Sequence, residues 1–371
     1  MWDINTIDDD IKVPPKTAAQ VYFWARNALD KLKRAITPPQ LHMFELLDGL
    51  YVTQCLRVAI RLGIADQLND GPKACSDMAR AVGVNADALY RVMRLLASKQ
   101  IFKELPGRCF ELTPAAALLR TGVKNSLRAF VELIDQHWAI WEHLIDGVRT
   151  GQPMFEKVFG MPLFNYYAKH PEKSELFDQA MAELSRPMAN AIVASYPFSG
   201  IDRLVDVGGG DGSLLSVILR AHPRMTATLF EGPWAAERAR RSIDAAGLGE
   251  RCEVVAGDFF ASVPAGRDAY LLKNILHDWR DEHALALLAS CRRAMKPAAR
   301  LLIVEFIIPP GNEACVSKSV DIQMMLATGG RERTKEEYEA LLHQAGFRLR
   351  RVVPTPFVLC VIEAVRSDKC E

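Results

Sequence analysis

The chain has 371 residues, 49% of them hydrophobic and 25% charged, with a formal net charge of +1. That length suits two domains, or one domain with a large extension, and the composition is that of an ordinary globular protein. The near-neutral balance gives no overall pull toward nucleic acid or an anionic membrane surface, and no apolar run reaches the ~20 residues of a bilayer span.

The opening stretch, MWDINTIDDDIKVPPK, is acidic and lacks an apolar centre, so it does not read as a signal peptide. Up to about residue 190 the periodicity is helical. LHMFELLDGLYVTQCLRVAIRLGIADQL and ELFDQAMAELSRPMANAIVASY repeat apolar residues every three or four positions. Residues 76–105 read as helix–turn–helix with Gly83 at the turn. CFEL, bracketed by Gly107 and Pro114, reads as the wing of a winged helix. Such a unit either reads DNA or serves packing and dimerisation. Arg80, Arg91, Arg94, Lys99 and Lys103 are offset by Asp77, Asp87 and Glu104, so there is no dense basic stripe for phosphates. No nucleic-acid partner is expected. The eight cysteines form no CxxC pair and no Cys/His cluster. They read as reduced thiols of a cytoplasmic protein, and no metal is expected.

From Arg203 the rhythm changes. RLVDVGG, TATLFEG, CEVVAGD, AYLLKN and RLLIVEFII are short β-rich runs, and each but the last is followed by a turn and a helical stretch. This is the pattern of βαβ units and predicts an α/β fold with a parallel sheet. The final RLRRVVPTPFVLCVIEAV reads as two strands broken at Pro354 and Pro356, pairing antiparallel at one edge.

LVDVGGGDGSLL places glycines at 208, 210 and 212 just after the first strand, where a ligand can lie against the backbone. A dinucleotide fingerprint starting at Gly208 needs a third glycine at 213, which is Ser. Asp206 lies inside the motif. Glu231 ends the second strand, where an acid can hold both ribose hydroxyls. Asp258 ends the third, with Phe259 beside it, suited to an adenine amino group and base face. Acids after three successive strands, with no cation near the turn, suit a nucleoside without phosphates.

VDVGGGDG, FEGP, GDFF, LKNILHDWRDEHALALL, IVEFIIP and GGRERTKEEYEALLHQAGF follow in order through most of residues 200–350. Together they resemble the small-molecule O-methyltransferases that use S-adenosylmethionine, above all the plant phenolic and acetylserotonin enzymes and bacterial natural-product tailoring enzymes. The resemblance implies a Rossmann-like seven-stranded methyltransferase sheet at 186–371. It implies a helical, winged-helix dimerisation and substrate-lining domain at 1–185, and hence a homodimer. The implied cofactor is S-adenosylmethionine, leaving as S-adenosylhomocysteine, with no metal. The implied acceptor is a small aromatic or polyketide-like molecule carrying a hydroxyl. By resemblance Ser185 lies near the methionine part of the cofactor, and Lys273 and Trp279 near its adenine end. Trp138, Phe164, Phe177, Met181, Gln323 and Met324 are candidates to line the acceptor slot.

His277 falls just past the fourth strand, on the ligand edge, with Asp281 placed to cap the helix that follows. Glu305 lies inside the apolar run RLLIVEFIIPP. A carboxylate there costs several kcal/mol, on the order of, unless paired. In a doubly wound sheet strands four and five are neighbours, so Glu305 is expected to point at the imidazole of His277. A histidine can take the proton of a hydroxyl while a carboxylate on the other ring nitrogen fixes its tautomer. In the resembling enzymes a second acid flanks the histidine from the GG-x-E-R-T motif, and Glu332 matches it. N-methylation of an aromatic heterocycle is the alternative reaction, and a DNA-binding regulator with a nucleoside-sensing domain the alternative class.

Overall fold

The structure is a computed structural model and describes residues 16–367. The acidic stretch 1–15 and Cys370 lie outside the described residues. The chain divides into two compact units: residues 1–137 with 175–184, and residues 138–174 with 185–371. The border differs from the expected break after residue 185. Segment 138–174 bonds to the sheet-bearing unit: Met154 N–H donates to the Leu326 carbonyl at 2.7 Å, and Trp141 Nε1–H to Gln323 Oε1 at 2.8 Å.

The first unit carries the helices Lys16–Ile36, Pro39–Arg61, Cys75–Val82 and Ala86–Ser98. Gly83 ends the third in the left-handed region at φ 68°, and the Asn85 side chain accepts Ala88 N–H at 2.9 Å to start the fourth. Three short strands, β1 (Lys73–Ala74), β2 (Phe102–Leu105) and β3 (Cys109–Leu112), pair antiparallel in the order β1-β3-β2. The β2–β3 hairpin is the wing read from CFEL. Met78, Leu89, Met93, Leu96, Phe102 and Phe110 are buried together beneath it.

The second unit is built on seven strands: β4 (Arg203–Val207), β5 (Thr226–Glu231), β6 (Cys252–Ala256), β7 (Ala269–Lys273), β8 (Arg300–Phe306), β9 (Phe347–Pro354) and β10 (Leu359–Arg366). Their order is β6-β5-β4-β7-β8-β10-β9. β4 to β8 are parallel, while β10 inserts antiparallel between β8 and β9. Strands covered by helices on both faces lose the alternation of a half-exposed sheet, so they read as continuous apolar runs. In β8 every residue after Arg300 is buried, Glu305 included. The strand order reverses at β4, and β5 and β7 flank it. The crevice at the carboxyl ends of these strands is where an open α/β sheet binds its ligand. Among the described residues no helix is long and apolar enough to cross a membrane.

Candidate active site

The glycine turn leaves β4 as the spacing predicts. Gly208 has φ 70° and donates its N–H to the Phe230 carbonyl at 2.7 Å, and a Cβ there would lie 2.5 Å from Ile275 Cδ1. Gly210, at φ 59°, has no protein atom within 4 Å of where its Cβ would be. The space over Gly210 is therefore an open cradle. Glu231 braces it: Oε2 accepts Gly210 N–H and Oε1 accepts Gly232 N–H, both at 2.8 Å. Asp258 is exposed beyond β6 and accepts Phe260 N–H at 2.9 Å. Asp206 is 2% exposed, and its Oδ1 meets no partner. Burial is the main force raising its pKa to about 7, with Lys273 pulling the other way.

Lys273 ends β7 and donates from Nζ to Ser185 Oγ at 2.8 Å. This places it with Ser185 on the opposite side of β4 from Glu231 and Asp258. Burial lowers its pKa against the attraction of Asp206, Asp211 and Glu305. Trp279 meets Phe260 edge-on at 4.8 Å and Phe259 at 6.2 Å, and stacks on Phe164 at 5.8 Å between centroids. Phe164 and Trp279, expected at different ligands, therefore form one aromatic wall. An open backbone cradle, a braced acid for a diol, an aromatic wall and a Lys–Ser pair at the far end suit an adenosyl group with an amino-acid tail.

His277 sits in the short 3-10 turn Leu276–Asp278 and is buried. Its Nδ1–H donates to Glu332 Oε1 at 2.7 Å, a tautomer set by the acceptor-only carboxylate. Glu332 is fully buried, accepts nothing else at Oε2, and donates its N–H to Asp321 Oδ1 at 2.8 Å. The ring partner is thus Glu332 and not Glu305. Glu305 Oε1 instead accepts the backbone N–H groups of Ile275, Leu276 and His277 at 3.1, 2.6 and 3.2 Å. Its Oε2 accepts the Tyr338 hydroxyl. The reason is geometric: the chain leaves β7 in a tight turn whose N–H groups converge on the end of neighbouring β8, and a carboxylate satisfies them better than an imidazole. Asp281 likewise does not cap. It begins the helix Asp281–Ala294, and its Oδ1 accepts Arg333 Nε–H at 3.1 Å and Nη2–H at 2.7 Å.

Arg333, 1% exposed, also donates to the carbonyls of Leu276 and Trp279, both at 3.0 Å. Gly330 lies so near the His277 backbone that a Cβ would overlap its carbonyl oxygen, and Arg331 N–H donates to that oxygen at 2.8 Å. Arg333, Gly330, Tyr338 and Asp321 are the site residues that sequence reasoning missed. Gly330 and Arg333 fall in the GGRERT motif, where the sequence singled out Glu332 alone.

Burial alone would push the His277 imidazole down, but Asp278, Glu332 and Glu305 outweigh it and raise it to about 9. Asp278, 3.9 Å from Nε2, is pushed up to about 7, chiefly by burial. Burial also raises Glu332. Trp138 opens the helix Trp138–Trp141, which is tied to Gln323 and so to the helix Ser317–Ala327 that carries Met324. Phe177 and Met181 fall in 175–184, which groups with the first unit.

A mixed sheet whose parallel part reverses order over a phosphate-free nucleoside cradle, beside a buried histidine–carboxylate pair, suits a methyltransferase that takes its methyl group from an adenosyl sulfonium. The O-methyltransferase domain matches residues 141–348 and the O-methyltransferase dimerisation domain residues 44–122. The chain belongs to the S-adenosylmethionine-dependent O-methyltransferases. It is 41% identical over 323 residues to a phenazine O-methyltransferase of Lysobacter antibioticus, covering 87% of this chain and 95% of that one. It is 36% identical over 327 residues to an 8-amino-8-demethylriboflavin N,N-dimethyltransferase of Streptomyces davaonensis, covering 86% and 94%. A crystal structure of an O-methyltransferase from neocarzinostatin biosynthesis, in complex with S-adenosylmethionine and 2-hydroxy-5-methyl naphthoic acid, superposes with a TM-score of 0.75 at 29% identity, covering 85% and 96%.

Proposed function

We propose that this enzyme methylates a hydroxyl of a planar aromatic natural product, with His277 as general base. The observation that carries the reading is the 2.7 Å contact between His277 Nδ1 and Glu332, which leaves Nε2 as the proton-accepting atom. S-Adenosylmethionine supplies a methyl carbon already activated on a sulfonium sulfur. The acceptor is the weak partner: a phenol with a pKa of about 10 is almost wholly protonated near neutrality. Nε2 takes the hydroxyl proton, and Glu332 stabilises the resulting imidazolium and keeps the ring oriented. Asp206, Gly208, Gly210, Glu231, Asp258 and Phe259 are the proposed cofactor contacts, with Trp279 on the aromatic wall and Lys273 and Ser185 toward the methionine end. Trp138, Phe164, Gln323 and Met324 are the proposed acceptor lining, a flat and adaptable set. The dimerisation domain supports a homodimer.

A nitrogen acceptor is the second reading, favoured by the similarity to the riboflavin-type N,N-dimethyltransferase. Incubation with labelled S-adenosylmethionine and a panel of hydroxylated and aminated aromatics, with products identified by mass, separates the two. With the best acceptor, His277→Ala should cut turnover by about 10²–10⁴-fold while S-adenosylhomocysteine affinity stays near that of the wild type. Undiminished turnover would refute the base.

A further inference from the structure

We propose that Tyr338 is a positioning residue for His277, acting through Glu305: its hydroxyl fixes the carboxylate that gathers the three N–H groups of the turn bearing the imidazole. The proposal rests on His277 being the base.

Glu305 and Tyr338 are both 0% exposed, and so cannot fall back on water. Glu305 Oε1 is shared by three backbone N–H donors, and Oε2 takes the Tyr338 hydroxyl. Burial, then the Glu305 and Glu332 charges, hold the phenol well above its usual pKa, so it remains a donor at any working pH. The Tyr338 backbone is itself anchored. Its helix, Lys335–Gln344, starts at a capping box in which the Thr334 hydroxyl accepts Glu337 N–H and the Glu337 carboxylate accepts Thr334 N–H.

One segment therefore grips the His277 turn in four ways. Gly330 allows backbone contact, Glu332 takes Nδ1–H, Arg333 takes the carbonyls of Leu276 and Trp279, and Tyr338 secures the acceptor of the N–H groups. Removing the phenol oxygen leaves one buried carboxylate oxygen with no donor. Without that anchor the carboxylate is no longer held square to the turn, which weakens its charge-assisted bonds to the three N–H groups. Glu305 is also one of the anions that hold a proton on His277. Displacing that charge, or neutralising it as Glu305→Gln does, lowers the pH at which the imidazole titrates.

The test is the titration of His277 in full-length protein labelled with ¹³C-histidine, its signal identified by its loss in His277→Gln. It is followed by NMR with and without S-adenosylhomocysteine, alongside thermal melts. Tyr338→Phe and Glu305→Gln are each expected to move the midpoint to lower pH. The double variant should move it no further than Glu305→Gln alone, as required if Tyr338 works through Glu305. A lower melting temperature with an unmoved His277 titration would make Tyr338 merely structural and overturn the proposal. A Tyr338→Phe shift that persists in full in the Glu305→Gln background would overturn it as well. Should Tyr338→Phe not fold, Glu305→Gln decides alone: it can still accept the three N–H groups, and an unshifted midpoint overturns the proposal. Full turnover in His277→Ala would remove the base assignment without altering these titrations, so the two failures are distinguishable.

Discussion

At His277 the opposing forces have a definite outcome. Burial favours a neutral ring, three carboxylates favour a charged one, and the carboxylates win, holding the group up to about 9. A base must be neutral to accept a proton. The competent fraction is therefore small near pH 7 and grows as pH rises through the raised value. The expected profile of kcat/KM climbs from pH 7 toward 9 on a single acid limb. Glu332→Gln removes one of the charges that raise the ring, so its limb should move to lower pH while the maximum rate falls. A limb that stays in place would mean that Glu332 does not govern the ring. A group whose folded pKa is raised also lends stability that is complete below the unfolded value of ~6.5 and is lost as pH climbs through about 9. The enzyme is thus expected to be least stable at the alkaline pH where its base is most available.

Elements explain why that ring stays put, and why part of the site was legible while part was not. Gly330 and Gly210 both look like loop glycines in sequence, yet their surroundings are opposite. An Ala at 330 would drive its Cβ into the His277 carbonyl, so Gly330→Ala should cost about 1–3 kcal/mol as overpacking and lower both melting temperature and turnover. An Ala at 210 meets no protein atom but must hold φ 59°, so Gly210→Ala should cost about 1–2 kcal/mol in backbone strain and, beyond that, lose S-adenosylhomocysteine affinity by calorimetry. Normal affinity there would refute the cradle. The run of parallel strands, the antiparallel pair at the edge, the glycine turn, the acids at strand ends and the winged helix were readable because each follows from periodicity or from a residue type at a fixed offset. The partner of Glu305 was not. Its acceptors' donors are backbone N–H groups, which every residue owns and no sequence displays, and its side-chain donor, Tyr338, comes from a helix 33 residues downstream. Arg333 was hidden for a related reason: its acceptors include the backbone carbonyls of Leu276 and Trp279, which no sequence displays.

For the molecule as a whole, the two units divide the work. Every proposed cofactor residue lies within 185–371, whereas the first unit leaves large apolar side chains in solvent along its two long helices. Trp24 is 73% exposed, Ile36 74% and Phe44 69%, with Leu47 one turn from Phe44. Scattered exposed apolar residues are ordinary, but so many on two successive helices mark an interaction surface. Residue 44 is also where the match to the dimerisation domain begins. A second copy of the chain is the occupant that fits both facts. Sedimentation at micromolar concentration should therefore give twice the chain mass for the wild type. Phe44→Glu combined with Leu47→Glu should shift it toward the monomer, because two charges would have to be buried without partners. The same double variant should still bind S-adenosylhomocysteine by calorimetry, since it leaves the glycine turn and strand-end acids untouched. A wild-type chain that sediments as a monomer would remove the dimer, and a variant that stays dimeric would move the interface away from Phe44 and Leu47.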